Sequence, residues 1–148
     1  MTSRGVSLRA LLGRRVTLKG IRLGTPSDAV LDKGSLRVVG LEVLCDDGVR
    51  RFLPLAAARV RDDHVAVGSA LVLLEEADRT FYRRRSRSFR ELLGGAVTRE
   101  GHRLGELVDL VVAPDGTVEA LAVRTNDSGV RLHESAGVAI EPAKASAA

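Results

Sequence analysis

The stretch Ser7-Leu8-Arg9-Ala10-Leu11-Leu12-Gly13 is written a second time, 81 residues on, as Ser88-Phe89-Arg90-Glu91-Leu92-Leu93-Gly94. Outward from it, the correspondence holds at the same spacing through Val16/Val97, Gly20/Gly101, Leu23-Gly24/Leu104-Gly105, Asp28/Asp109 and Val30/Val111. After a slip of one residue it resumes at a spacing of 80 with Leu41/Leu121, Val43/Val123, Arg51/Arg131, Phe52/Leu132, Ala56/Ala136 and Val60/Ile140. So many matched residue types with a single slip mark a duplicated module, and a repeat constrains the fold before any single residue does.

Within each copy the pattern is that of short strands. Ser7 and Ser88 suit the N-cap of a single helical turn, Glu91 completes a capping box, and Gly13 and Gly94 suit the left-handed position that ends it. Strand signals follow at residues 14–18 and 95–98, 23–31 and 104–112, 38–45 and 118–125, 49–55 and 130–133, with a last strand around Val60 or Ile140. Gly20, Glu100-Gly101, Asp32-Lys33-Gly34-Ser35, Asp46-Asp47-Gly48, Ala113-Pro114-Asp115-Gly116 and Asn126-Asp127-Ser128-Gly129 are turn chemistry between them.

The chain has 148 residues, 45% of them hydrophobic and 28% charged, a globular balance. Two units of roughly 65 residues have thin cores, so mutual packing or oligomerisation is expected to complete them. The lone Cys45 excludes an internal disulfide and reads as a small apolar strand residue. The start is polar, and the longest apolar stretch, residues 65–74, is broken by Gly68-Ser69 and far short of the ~20 residues of a membrane-spanning helix. Cytoplasmic residence is the expectation.

The predicted organisation is mostly β: two tandem small antiparallel β-barrels joined by a short Arg-rich linker for which a helix is one option. The first spans residues 7–78, the basic linker 79–87, the shortened second repeat 88–142, and a frayed tail 143–148. The second repeat has no counterpart of residues 65–74, which leaves a strand edge to be covered. Residues 70–74 are expected to leave the first barrel and pack against the second.

Both copies resemble the PRC-barrel family, named for the H subunit of the photosynthetic reaction centre and also found at the C-terminus of the small-subunit ribosome maturation factor. The resemblance rests on Leu11-Leu12-Gly13, Gly20-Ile21-Arg22-Leu23-Gly24, Asp28 and Val38-Val39-Gly40-Leu41-Glu42-Val43. In the second copy it rests on Leu92-Leu93-Gly94, Gly101-His102-Arg103-Leu104-Gly105, Asp109 and Val118-Glu119-Ala120-Leu121-Ala122-Val123. It implies a small barrel that docks to RNA–protein assemblies or membrane complexes and brings no common active site.

Charge is concentrated. Residues 79–90 hold six Arg and no acid, whereas residues 91–148 hold 5 basic and 9 acidic residues, a net −4. Guanidinium groups match phosphates bidentately, and Phe81, Tyr82 and Phe89 offer faces for bases. The same run would attract anionic lipid headgroups, or pair as a linker with the acidic second repeat, its aromatics buried between the units. Candidate anion- or partner-binding residues are therefore Arg79, Tyr82, Arg83, Arg84, Arg85, Arg87 and Arg90.

Other constellations carry less. His64, His102 and His133 lack metal-ligand spacing, Asp46-Asp47 and Asp62-Asp63 read as solvated turns, and His133-Glu134-Ser135 lies along one strand, where neighbours face opposite ways. No catalytic, metal or cofactor site is expected. The function expected is that of a non-enzymatic adaptor with a protein partner. RNA or ribosome association, an anionic membrane surface and a homodimer are the alternatives.

Overall fold

A computed structural model describes residues 5–32, 34–74, 86–126 and 129–142, and there the chain is mostly β, with two sheets, one curled into a half-barrel. The first copy contributes β2 (Arg15–Leu18), β3 (Ile21–Asp32), β4 (Val38–Cys45), β5 (Arg50–Pro54), β6 (Ala58–Val60) and β7 (His64–Val67), in the order β5-β4-β3-β2-β7-β6. The second contributes β9 (Ala96–Arg99), β10 (His102–Val112), β11 (Val118–Arg124), β12 (Val130–Glu134) and β13 (Val138–Glu141), in the order β12-β11-β10-β9-β13. All neighbours are antiparallel except β2 and β7.

Local chemistry explains the shared parts. Lys19-Gly20 and Glu100-Gly101 all have φ between 50° and 81°, the two-residue reversal whose twist suits a tight hairpin. The single slip between the copies falls in the next hairpin turn. The N–H of Asp32 bonds the carbonyl of Arg37 and the N–H of Ala113 bonds that of Thr117, so equivalent closures span turns one residue apart in length. A surface turn absorbs such a change at little cost, whereas a slip inside a strand would turn every side chain to the wrong face.

The repeats are not merely consecutive. The two residues ahead of the first helical turn, β1 (Val6–Ser7), pair with β10 of the second copy, through Val6↔Val112 and Ser7↔Val111. The residues ahead of the second turn, β8 (Ser86–Ser88), pair with β3 of the first, through Leu31↔Arg87 and Val30↔Ser88. Each position of one exchange is the repeat counterpart of the other. A further bridge joins Arg37 to Thr117, a residue to its own counterpart, which places that contact on the local two-fold axis. Single turns α1 (Leu8–Leu12) and α2 (Phe89–Leu92) fill the seam, with Leu8, Leu11, Phe89 and Leu92 all 1% exposed or less. The buried side chains of both copies form one cluster, so the thin cores are completed by mutual packing.

Three expectations are corrected. Gly94 takes the left-handed conformation (φ 81°), but Gly13 does not (φ −85°): its N–H closes the turn onto Ala10 and Leu11 with right-handed backbone. Residues 70–74 stay with the first copy. A 3-10 turn over Ala70–Val72 leads to Leu74, whose N–H and carbonyl pair with the carbonyl and N–H of Phe52 at 2.7 and 2.9 Å, covering the outer edge of β5. The second copy needs no loan beside β9, because β13 occupies the place that β7 holds beside β2.

Gly116 shows how tight the axis is. Its φ is 95°, its carbonyl accepts from the N–H of Val38 at 2.8 Å, and a Cβ there would run into the Val38 carbonyl and Leu55. Gly20, at φ 81°, has open space where a Cβ would go. Gly20→Ala should therefore cost only the left-handed strain, roughly 1–2 kcal/mol. Gly116→Ala adds a backbone collision and should cost at least about 3 kcal/mol in urea unfolding.

Candidate functional site

The strongest polar constellation lies in the seam. Ser7 Oγ accepts from the Ala10 N–H at 3.2 Å, capping α1, and donates to Oδ2 of Asp109. The other oxygen of Asp109 accepts from the N–H groups of Arg9 (3.1 Å) and Leu110 (2.8 Å). In the counterpart, Ser88 Oγ accepts from the Glu91 N–H at 3.3 Å and donates to Oδ2 of Asp28. Asp28 Oδ1 takes the N–H groups of Arg90 (3.1 Å) and Ala29 (2.8 Å). All four side chains are half-buried. Each carboxylate thus closes the start of the other copy's helical turn, and charge-assisted bonds of this kind are the stronger ones.

Of the predicted binding residues, the structure brings Arg87 and Arg90 to this seam. Arg87 is half-buried, pairs with Leu31, and donates to the Ile140 carbonyl at 3.5 Å, so it touches both copies. With Asp32, Ser35, Leu92 and Val138 it lines a groove of about 260 Å³. Arg90 is exposed and donates through Nε to the Ser27 carbonyl. Arg79, Tyr82, Arg83, Arg84 and Arg85 lie outside the described residues, as does Phe81. Phe89 is fully buried in the common core, which removes it as a platform for bases.

The acidic turns are solvated as expected. Asp47 accepts from the Val49 N–H and pairs with Arg51 at 2.9 Å, which holds its carboxyl below the usual range and the guanidinium above its own. Asp63 is lowered by its 2.6 Å hydrogen bond with His64. Among the described residues, no three His, Cys, Asp or Glu side chains gather as metal ligands. Cys45 is buried in β4.

A groove of about 700 Å³ lies where Arg22, Leu23, Asp46 and Arg51 face Leu73 and Leu74. One of about 550 Å³ occupies the equivalent place in the second copy, lined by Arg103, Gly105, Glu106, Arg124, Thr125 and Asn126. Among the described residues no helix is long and apolar enough to cross a membrane.

Asp28 and Asp109 were legible as repeated residues but not as partners of Ser88 and Ser7. The available signal was a carboxylate recurring within an apolar strand together with a recurring serine, both at a spacing of 81. Neither comparison with protein-family models nor comparison with curated proteins gives a match.

Asp28→Ala would orphan the Ser88 hydroxyl and two N–H groups in a half-buried seam, and should cost roughly 2–3 kcal/mol. Ser88→Ala should cost about 1–2 kcal/mol, and the double variant less than the sum, by urea unfolding. Hydrogen exchange should quicken in β3 and β8 together, across the repeat boundary.

Proposed function

We propose that this chain is a non-enzymatic docking module built of two PRC-barrel-like units, which binds a protein partner within a larger assembly. One observation carries the reading: two pairs of polar residues that recur in both copies, Ser7/Ser88 and Asp28/Asp109, hold the copies together. Duplicated chemistry directed into the seam suits a rigid scaffold, whose working surface is then its sheet edges and grooves. The resemblance of each repeat to the PRC-barrel pattern supports the same role, as an analogy of fold.

A second reading is favoured by the sequence: the six Arg between 79 and 90 would place the module on RNA or a ribosomal particle through phosphates, with anionic lipid as a further acidic partner. Arg87 and Arg90 are held to the seam by backbone carbonyls, so the groups to alter are Arg79, Arg83, Arg84 and Arg85.

The test is affinity capture from native lysate with mass spectrometry, with and without nuclease. Wild-type protein is compared with a variant carrying Arg79→Ala, Arg83→Ala, Arg84→Ala and Arg85→Ala. A nuclease-resistant protein partner, retained by the variant, is the result expected. Ribosomal proteins lost on nuclease treatment and absent with the variant would replace this reading with the RNA one. Four phosphate contacts would also cut affinity by roughly a hundredfold between 50 and 200 mM salt.

A further inference from the structure

The two copies treat one equivalent edge differently. In the first, Phe52 presents its N–H and carbonyl away from β4, and Leu74 bonds both. Phe52 is 3% exposed. Its counterpart Leu132 sits at the same register on β12, opposite Ala122 as Phe52 is opposite Glu42, so its N–H and carbonyl also point outward. Among the described residues nothing covers it: Leu132 is 66% exposed, and Val130, two residues away on the same face, 53%.

The groove beside that edge differs in charge as well. Arg22 and Arg51 of the first copy are paired with Asp46 and Asp47. In the second, Asn126 stands where Asp46 does and Arg124 where Leu44 does; among the described lining residues Arg103 pairs with Glu106 at 3.8 Å, which leaves Arg124 as the charge in excess.

The geometry points to the β12 edge as a docking site for an extended segment of a partner protein, an apolar residue followed by acidic ones, added as a strand to Leu132. This deepens the docking reading and rests on it. The chain carries its own specimen of the occupant. Leu71-Val72-Leu73-Leu74, which seats Leu74 on Phe52, runs on in sequence as Glu75-Glu76. One partner residue gives two main-chain bonds to Leu132, its apolar side chain lies by Leu132 and Val130, and the following carboxylates meet Arg124. Strand addition draws affinity from main-chain bonds and specificity from the pockets beside them.

The probe is a fluorescein-labelled peptide with the sequence of residues 69–77, Ser-Ala-Leu-Val-Leu-Leu-Glu-Glu-Ala, titrated with the full chain by anisotropy. Saturable binding is expected, weakened at least about tenfold by Leu132→Pro, which removes the outward N–H together with the leucine side chain beside it. Pro54 already occupies an outward-facing position of β5, so the β11–β12 ladder keeps its bonds. N-methylation of the peptide at the residue matching Leu74 should weaken binding as much, and needs no protein variant. Arg124→Glu should weaken it severalfold, more at low salt.

Absence of binding at millimolar peptide, or binding indifferent to both N-methylation and Leu132→Pro, overturns the inference. So does a concentration-dependent dimer abolished by Leu132→Pro, which would assign the edge to a second copy. A lysate partner that stays on the Leu132→Pro protein removes the edge site and leaves the docking reading standing. Edge-dependent peptide binding with no lysate partner supports the site and counts against a larger assembly.

Discussion

Two serine hydroxyls and two carboxylates, each bonded across the repeat boundary, are the constraint on which the arrangement depends. A strand of two or three residues such as β1 or β8 cannot hold its place by ladder bonds alone. It stays because the serine that ends it is a helix cap on one side and a donor to a half-buried carboxylate on the other. The carboxylate in turn accepts two backbone N–H groups, so removing any member leaves the others without a partner in a half-buried seam. The long strands make this possible. β3 pairs with β2 near its start and with β8 at its end, and β10 divides in the same way between β9 and β1. The seam then closes over Leu8, Leu11, Phe89 and Leu92, giving one core where two small units would each have had a thin one.

Symmetry is kept on the axis and relaxed away from it. Near Arg37–Thr117 and the Ser–Asp pairs, counterpart residues make counterpart bonds. Away from it, the first copy carries an additional segment after β6, and the second rebuilds around its loss. β13 pairs antiparallel with β9 where β7 ran parallel to β2. At the far edge the substitutions are coherent: the Phe52 ring occupies the space where a Cβ on Gly40 would stand, whereas Ala120 and Leu132 hold those positions in the second copy. One edge is finished within the chain; the other presents exposed Leu132 and Val130 beside arginine.

Much of this was legible one element at a time. Period-two alternation around Leu41 and Val43 marked a strand with one buried face, and both residues are fully buried. Gly20 and Gly101 marked reversals because few other residues accept their φ. The serine caps followed from the need to satisfy the first N–H groups of a helical turn. Gly13 was misread because a glycine after Leu-Leu suits two cap geometries, and the bonds its N–H makes decide between them. Residues 70–74 were misplaced because an apolar run states only that it must be covered, not which edge covers it. Of the candidate site, Arg87 and Arg90 could be named in sequence but not attached to Ile140 and Ser27, partners 53 and 63 residues distant along the chain.

The sequence by itself determined the duplication, the strand-rich character, the turns and the capping serines, all of which depend on neighbours a few residues apart or on comparing the chain with itself. Only the tertiary structure decided that each copy lends its leading strand to the other, that Leu74 serves Phe52, and that β13 takes the place of β7. These are choices among edges of similar hydrogen-bonding capacity and similar apolar cover. Which edge wins depends on where the folded halves bring Asp28 to Ser88 and Asp109 to Ser7, a distance in space that a spacing of 81 does not encode.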